Sequence, residues 1–438
     1  MKKHLLTFAI LFFTSVILFA QTYCGTSRYD TVVFSAVTTA SNVVYGFNTT
    51  NSGAGDTLKM DIYQPTGDVA VKRPLIVFAH GGSFIGGSKT DSYAIDFCTR
   101  FAKRGYVAVS IDYRLGMSFP FNQANGQKAV WRATQDMKAA VRFFRKDAAT
   151  ANTYKIDPDY IFGAGYSAGA FMAVQYAYLD RSSEVPSGID TVALGGLEGN
   201  SGNPGYCSRI NAVVNLAGAV GDTSWIQPGD EPMITAQGDA DGTVPYCTAM
   251  IYVSGFAIMP VSGGGTMNVR AYHIGLTNPI HTYYAQDHDA DVNATNMDST
   301  TILVSDFLYR QLGCNMTGGV RYTNHQTCVP GSGIDNVMAL FTNDPCPNSG
   351  VNEWVLNSEN VSLFPNPASE NVTVTLKDVQ GRNFSVELSD ISGRIVRQFS
   401  VSGDGFTVQR KNLEDGIYFM RLTSNKNESF AAKILFAK

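Results

Sequence analysis

One serine lies in a stretch stripped of side chains: Gly163–Phe171 reads GAGYSAGAF, with Ser167 between glycines and alanines. Upstream, Asp159-Tyr-Ile-Phe-Gly is an apolar run ending in glycine and reads as a short buried strand. Downstream, Ala168–Leu179 is rich in helix formers and free of proline, so it reads as a helix. Strand, Gly-x-Ser-x-Gly and helix in that order match a nucleophile elbow, a strained turn that lifts a serine Oγ above a sheet. Gly165 and Gly169 are then required, because a Cβ at either place would strike the crossing strand or helix. The same residues also fit a glycine-rich loop with an incidental serine. Partners elsewhere in the chain must decide.

A serine hydroxyl becomes a useful nucleophile when a base takes its proton and a carboxylate orients that base. In an elbow the chain order is serine, acid, histidine. The histidines are His4, His80, His273, His281, His288 and His325. His4 lies in the leader and His80 precedes the serine. His281 falls within a predicted strand, Ile280–Tyr284, and His273 in a predicted helix, Met267–Gly275; both suit hydrogen-bonded or solvated histidines. His288 follows the strand in a polar loop, from which it could reach over Ser167. For the acid, Met233–Gly238 leads into Asp239-Ala-Asp241-Gly-Thr-Val-Pro245. A carboxylate just past the C-terminal end of a strand lies on the ligand-binding face of an α/β sheet. Asp239 and Asp241 both qualify, and the turn that follows would pin Asp241. DADG also opens like a calcium loop, but Met250 stands at the twelfth position where glutamate is needed. Asp287, Asp289 and Asp291 read as a solvated loop, with no support for a metal site.

The oxyanion of a tetrahedral intermediate needs backbone N–H donors. One is expected from Ala168, right after the nucleophile. The other would come from the glycine-rich loop His80-Gly-Gly-Ser-Phe-Ile-Gly-Gly87, which follows the apolar run Leu75–Ala79. This loop lacks the Gly-Lys-Ser/Thr ending of a phosphate-binding loop.

The elements that must position these groups alternate between strand and helix from residue 30 to about 313. Val44–Tyr63 reads as an opening pair of strands. Apolar runs follow at Leu75–Ala79, Val107–Ile111, Tyr160–Phe162, Ala212–Leu216, Met233–Ala236 and Ile280–Tyr284. Between them Lys128–Arg145 carries Val130, Trp131, Met137, Val141 and Phe144 at helical spacing. Fully apolar strands separated by helices predict a mostly parallel sheet covered on both faces. Residues 181–206 and the segment around Trp225 are long loops on the expected active-site side. From Cys314 to about Asn360 the pattern dissolves into a linker. Beyond Val361, short alternating stretches at Val372–Leu376, Phe384–Leu388 and Ile417–Leu422 predict a small antiparallel sandwich.

The 438 residues suffice for two domains, and a net charge of −4 without basic runs gives no case for a nucleic-acid partner. Lys2 and Lys3 precede an apolar stretch, Leu5–Ala20, that reads as a secretory signal cut after Ala20. The mature chain is then exported and has no transmembrane segment. Export permits disulfides, and the seven cysteines are an odd number, so at least one stays free or pairs between molecules. Cys207 and Cys247 flank predicted neighbouring strands and could pair.

The segments LKMDIYQP, PLIVFAHGGSF, GYVAVSIDYRLG, the helix with Asp136, KIDPDYIFGAGYSAGA and GDADGTVPY resemble the α/β-hydrolase carboxylesterases, particularly a secreted bacterial esterase and lipase-like branch, over residues 44–313. The resemblance implies an α/β-hydrolase fold and a triad of Ser167, Asp241 (rather than Asp239) and His288. It also implies oxyanion donors at Gly82 and Ser83 beside Ala168, no cofactor, and an ester substrate. This chain departs from the family at Gln237, where histidine is usual, and at Ser83, which replaces the third glycine of HGGG. The tail segments LFPNPAS, DISGRIV and LEDGIYFMRL resemble type IX secretion sorting domains of Bacteroidetes, which implies that secretion machinery as a partner and a secreted or cell-surface location. The expected organisation is a signal peptide (1–20), a hydrolase domain (21–314), a linker (315–360) and a sorting domain (361–438). The expected activity is serine carboxylesterase on short-chain acyl esters, acetyl or feruloyl esters of polysaccharide, or polyesters. The alternatives are a peptidase on the same fold and a non-catalytic surface binding protein.

Overall fold

The structure, a computed structural model, describes residues 23–314, 361–377, 383–390, 394–424 and 429–437. The expected signal peptide and linker lie outside the described residues. The chain divides into two compact units, with the boundary between Pro347 and Asn348.

In the first unit the apolar runs are strands of one eight-stranded sheet. They are β1 (Val37–Thr49), β2 (Gly55–Pro65), β3 (Arg73–Ala79), β4 (Val107–Ile111), β5 (Ile156–Tyr166), β6 (Ala212–Leu216), β8 (Met233–Gly238) and β11 (Ile280–Tyr283). Between β6 and β8 lies the two-residue strand β7 (Ala219–Val220), which belongs to a second sheet. The order β1-β2-β4-β3-β5-β6-β8-β11 is antiparallel at its first two pairings and parallel from β4 onward. Alternation along β3 sends Leu75, Val77 and Ala79 to one face and Ile76 and Phe78 to the other, all fully buried. Helices α2 (Gln123–Ala149) and α3 (Ala168–Tyr178) cover the first face, and α1 (Ser92–Ala102) and α5 (Met297–Gln311) the second. Burying one side chain of the size of Phe78 contributes about 1.5–3 kcal/mol. The sheet is thus held from both sides, as its apolar strands require.

Helix α2 runs further than its apolar spacing predicts, because the Asn122 side chain accepts from the Asn125 N–H and caps a polar first turn. Strand β5 is likewise longer than the predicted Tyr160–Phe162. A three-stranded antiparallel sheet, β7-β10-β9, is absent from the sequence reading; it is built on the hairpin β9 (Thr248–Val253) and β10 (Phe256–Gly263). The hairpin turns on Ser254 and Gly255, both at positive φ, which matches the twist of a two-residue connection. Helix α4 (Gly264–Ile274) follows directly.

The second unit contains β12 (Val361–Phe364), β13 (Asn371–Leu376), β14 (Asn383–Asp390), β15 (Ile395–Ser402), β16 (Gly405–Gln409), β17 (Gly416–Ser424) and β18 (Ser429–Phe436). They form a three-stranded sheet, β12-β13-β16, and a four-stranded sheet, β15-β14-β17-β18, both antiparallel. Val372, Val374, Val386, Leu388, Met420 and Leu422 alternate inward to make their core. Among the described residues no helix is long and apolar enough to cross a membrane.

Cys24 is disulfide-bonded to Cys314 across a sequence separation of 290, tying the two ends of the described part of the first unit together. Cys207 and Cys247 are each disulfide-bonded as well, and buried Cys98 is a free thiol. Closing so long a loop restricts the unfolded chain, so Cys24→Ser with Cys314→Ser should lower stability by about 2–5 kcal/mol. Urea unfolding of the oxidised proteins measures this; coincident transitions would show that the tie contributes nothing.

Candidate active site

At the elbow the backbone is forced into contact with itself. A Cβ on Gly165 would stand 2.3 Å from the Gly169 carbonyl, and one on Gly169 would stand 2.1 Å from the Ala79 carbonyl oxygen. Only glycine permits this crossing of β3, β5 and α3. Ser167 takes φ 53° and ψ −120°, a conformation that L-residues rarely hold, and its N–H donates to Leu216 O at 2.9 Å. Its side chain therefore stands at the N-terminus of α3, beyond the C-terminal ends of β5 and β6.

The three candidates meet there. Ser167 Oγ lies 2.9 Å from His288 Nε2, and His288 Nδ1 lies 2.8 Å from Asp241 Oδ2. With Nδ1–H donating to the carboxylate, Nε2 is left to accept the serine proton. Asp241 Oδ1 accepts from the N–H groups of Thr243 and Val244 at 2.9 and 2.8 Å, so the turn after it does pin it. Gln237 Nε2 donates to Asp241 Oδ2 at 3.1 Å and to Val244 O at 2.9 Å, while its Oε1 accepts from Gly264 N–H at 2.9 Å. The amide at the position usual for histidine thus braces the carboxylate from below. Asp239 faces elsewhere: its Oδ1 accepts from Ala285 N–H at 2.6 Å.

His288 opens a short 3₁₀ helix, His288–Asp291, where the sequence predicts a plain loop. Asp287 Oδ1 accepts from Gly242 N–H at 2.8 Å and from His288 N–H at 2.7 Å, tying the acid turn to the histidine turn. Tyr166 tilts its ring over His288 at 5.2 Å and donates its hydroxyl to Asp289 at 2.7 Å. The expectation of a solvated aspartate loop needs correction. Asp287 and Asp289 are exposed but bonded, and Asp291 is fully buried, with both carboxylate oxygens unpaired among the described residues. Burial holds Asp291 well above the usual carboxylate range. Among the described residues no cluster of His, Cys, Asp and Glu has the form of a metal site. His281 lies in β11 and His273 in α4, apart from the serine, while buried His80 stacks on Tyr113 at 4.4 Å.

The loop after β3 bends through positive φ at Gly82, Ser83 and Phe84 in succession. It is strapped by the Ile85 and Gly86 N–H groups, both donating to Gly82 O at 3.0 Å. Among the described residues, no hydrogen bond uses the N–H of Gly82, Ser83 or Ala168. A Cβ on Gly81 would touch Ser167 Cβ at 3.1 Å, so this loop passes directly beside the elbow. A buried ion pair holds it from behind. Asp136 on α2 accepts from Arg114 N–H and Nε at 2.9 Å, and the next turn donates from Gly116 and Met117 N–H to Phe84 O at 2.9 and 3.2 Å.

Two openings adjoin near Ser167, meeting at Val130, Phe171 and Met259. A small apolar pocket of about 40 Å³ contains Ser167 and is walled by Phe84, Met117, Val244, Val253 and Ile258. The larger cleft, about 1010 Å³, does not include Ser167 but shares Val130, Phe171 and Met259 with that pocket. It is lined by polar groups such as Gln127, Gln175, Glu184, Gln227 and Arg270 and by Trp225. Of the loop 181–206 only the first part serves this cleft; the remainder folds back on α2, where Gln135 Nε2 donates to Leu194 O and Gly196 O at 2.6 and 2.7 Å.

This fold is the α/β-hydrolase fold. Residues 60–223 match the family model BD-FAE, and residues 362–436 match the model described as Secretion system C-terminal sorting domain. The chain therefore joins an esterase-type α/β-hydrolase domain to a sorting domain. Gut esterase 1 of Caenorhabditis briggsae is 31% identical over 116 residues, 26% of this chain and 20% of that protein. An endo-acting ulvan lyase of Formosa agariphila is 28% identical over 110 residues, 23% of this chain and 21% of that protein. The chain thus spans about a fifth of the length of these relatives. A truncated form of a carbohydrate esterase from gut microbiota is similar with a TM-score of 0.47 at 20% identity, covering 65% of this chain and 98% of that one.

The cleft wall carries a titrating group. Glu184 accepts from the N–H groups of Asp180 and Arg181 at 3.2 and 3.0 Å and from Gln227 Nε2 at 2.8 Å, joining the two segments of the wall. Burial, aided by the nearby Asp180 charge, pushes it up from 4.5 to about 7 against the pull of those N–H groups and Arg181. The folded chain then binds this proton more tightly than the unfolded chain. Its contribution to stability is complete below about 4.5 and lost as pH rises through about 7. Asp230 and Glu231, raised to about 6 and about 7, act in the same direction. The melting temperature should fall between these pH values, and Glu184→Gln should flatten the slope; an unchanged slope would locate the effect in other groups.

Proposed function

We infer that this chain is an exported serine carboxylesterase that works through an acyl-enzyme. The reading rests on one observation, the unbroken relay from Ser167 Oγ through His288 to Asp241 at 2.9 and 2.8 Å. Ser167 Oγ attacks the ester carbonyl carbon while His288 Nε2 takes its proton. Asp241 holds the imidazole in the tautomer that can accept, and it stabilises the imidazolium that forms. The N–H groups of Gly82 and Ser83, in a loop already bent to expose them, and of Ala168, at the start of α3, bind the oxyanion. His288 returns the proton to the departing alcohol, and water then repeats the sequence to release the acid. The apolar pocket beside Ser167 takes a short acyl group, and the polar cleft alongside takes the alcohol half. The match of the tail to a sorting domain supports export by the type IX route, following removal of the leader ending at Ala20.

Ser167→Ala and His288→Ala should each lower kcat/KM on p-nitrophenyl acetate by on the order of 10⁴-fold or more, with melting temperatures nearly unchanged. Asp241→Asn should cost about 10⁴-fold, since an amide favours the wrong tautomer. Asp239→Asn, His273→Ala and His281→Ala should retain most activity. A Ser167→Ala protein with a tenth of the parent rate would dismiss the assignment.

Deleting residues 361–438 should leave ester hydrolysis intact while the enzyme accumulates in the cell envelope of a host with the type IX system. Normal appearance in the medium without these residues would rule out their sorting role.

A further inference from the structure

One wall of the acyl pocket continues outward as an uncharged, aromatic surface. Charged residues make up 16% of the chain, yet Leu115–Gln127 contains none, and Gly242–Val269 contains none either. The two segments meet at the β9–β10 hairpin. There Phe119, Phe121 and Phe256 pack edge to face, with centroids 6.0, 6.1 and 5.8 Å apart. Phe119 is 74% exposed and Phe256 47%, and Met250 and Tyr252 on β9 are also open to solvent. Single exposed apolar side chains are ordinary, but a contiguous patch of this kind marks an interaction surface. The same segments reach inward, for Met117, Tyr252 and Ile258 line the pocket that holds Ser167. The patch and the pocket mouth are therefore one surface.

The chemistry of the patch selects its occupant. Phe119, Phe121, Phe256 and Met250 have no polar tip with which to bond a hydroxyl-covered glycan chain, and Tyr252 adds a single hydroxyl where the patch meets the pocket. The two segments themselves carry no charge, so they offer an ionic headgroup or a charged polymer no ion pair. The polar cleft lies beyond Val130, Phe171 and Met259, so the two approaches to Ser167 differ in character.

We propose that this surface docks the enzyme on aggregated, uncharged short-chain acylglycerols, seating Phe119, Phe256 and Met250 in the oil–water interface and presenting an ester to the pocket beside Ser167. The proposal rests on the esterase reading of that pocket. Each turnover cleaves one acyl–oxygen bond and consumes one water, which supplies hydrogen to the alcohol and hydroxyl to the acid. Apolar side chains leaving water for oil supply the binding.

The mature full-length enzyme should be titrated with tributyrin across its solubility limit, with acid release followed at constant pH. The rate should climb about tenfold above the limit, and the rise should be lost in Phe119→Ser/Phe256→Ser, whereas kcat/KM on dissolved p-nitrophenyl butyrate stays within about twofold. Adsorption of the Ser167→Ala protein to the emulsion reads docking without catalysis, so it separates failure of this surface from failure of the esterase assignment. Should the double variant not fold, Met250→Gln carries the same comparison with a smaller loss. A rate that saturates below the solubility limit would overturn the proposal, as would an emulsion response that the variants leave unchanged. Adsorption to polyester film or insoluble neutral glycan in place of the emulsion would also overturn it, by giving the surface a different occupant.

Discussion

The serine half of the candidate active site follows from one contact between backbones, the N-terminal turn of α3 lying against the end of β3. A Cβ on Gly169 would penetrate the Ala79 carbonyl, and β3 ends at that carbonyl. The chain leaving β3 must therefore start its loop beside the first residues of α3. Ser167 is turned into its strained φ by the same crossing, and Gly81 comes to rest against its Cβ. The serine, the first amide of the helix and the bent loop are thus assembled by a single steric condition. The helix N-terminus adds its positive end to the place where negative charge would develop.

The other half of the site is held by bonds between turns. The acid and the histidine follow different strands, β8 and β11, which pair in parallel with Thr282 opposite Gln237. That pairing sets the turns side by side, and Asp287 closes them by accepting from Gly242 on one and His288 on the other. Gln237 braces Asp241 from the strand beneath, satisfying an oxygen of a carboxylate that has no exposed surface. A buried carboxylate without such donors would resist ionisation. Asp291 shows the contrast, for it lies close by, buried and without a bonded partner among the described residues.

Those parts whose signal is local were legible from sequence. The runs Leu75–Ala79 and Val107–Ile111 are apolar at nearly every position because helices cover both faces of the sheet, and that is visible without coordinates. Ser167, between glycines that exclude side chains, is equally plain. The choice of Asp241 over Asp239 was not settled by local pattern, since both follow β8; the bond from Ala285 to Asp239 joins residues distant in the chain. The β9–β10 hairpin has no such signal for another reason. Its residues, TAMIYV and FAIMPV, do not alternate cleanly between apolar and polar, because the hairpin exposes Met250, Tyr252 and Phe256 where a soluble strand would present polar groups. The burial of Asp291 was likewise hidden, since three acidic residues in a polar run read as solvated until the turn is folded.

That failure of pattern is informative, because sequences depart from the local rules of folding mainly where something other than folding is being served. The hairpin forms one side of the pocket at Ser167, and the cleft with Glu184, Gln227 and Arg270 adjoins that pocket across Val130, Phe171 and Met259. One side is uncharged and aromatic; the other is polar and contains a group that titrates near neutrality. An ester has two unlike halves, an acyl chain that prefers oil and an alcohol that prefers water when it carries hydroxyls. On the proposed esterase reading, a site whose two approaches differ in the same sense can orient such a molecule before any bond to Ser167 or His288 is made. Orientation obtained in this way requires no movement of the elbow, whose crossing of β3 and α3 leaves no room for movement.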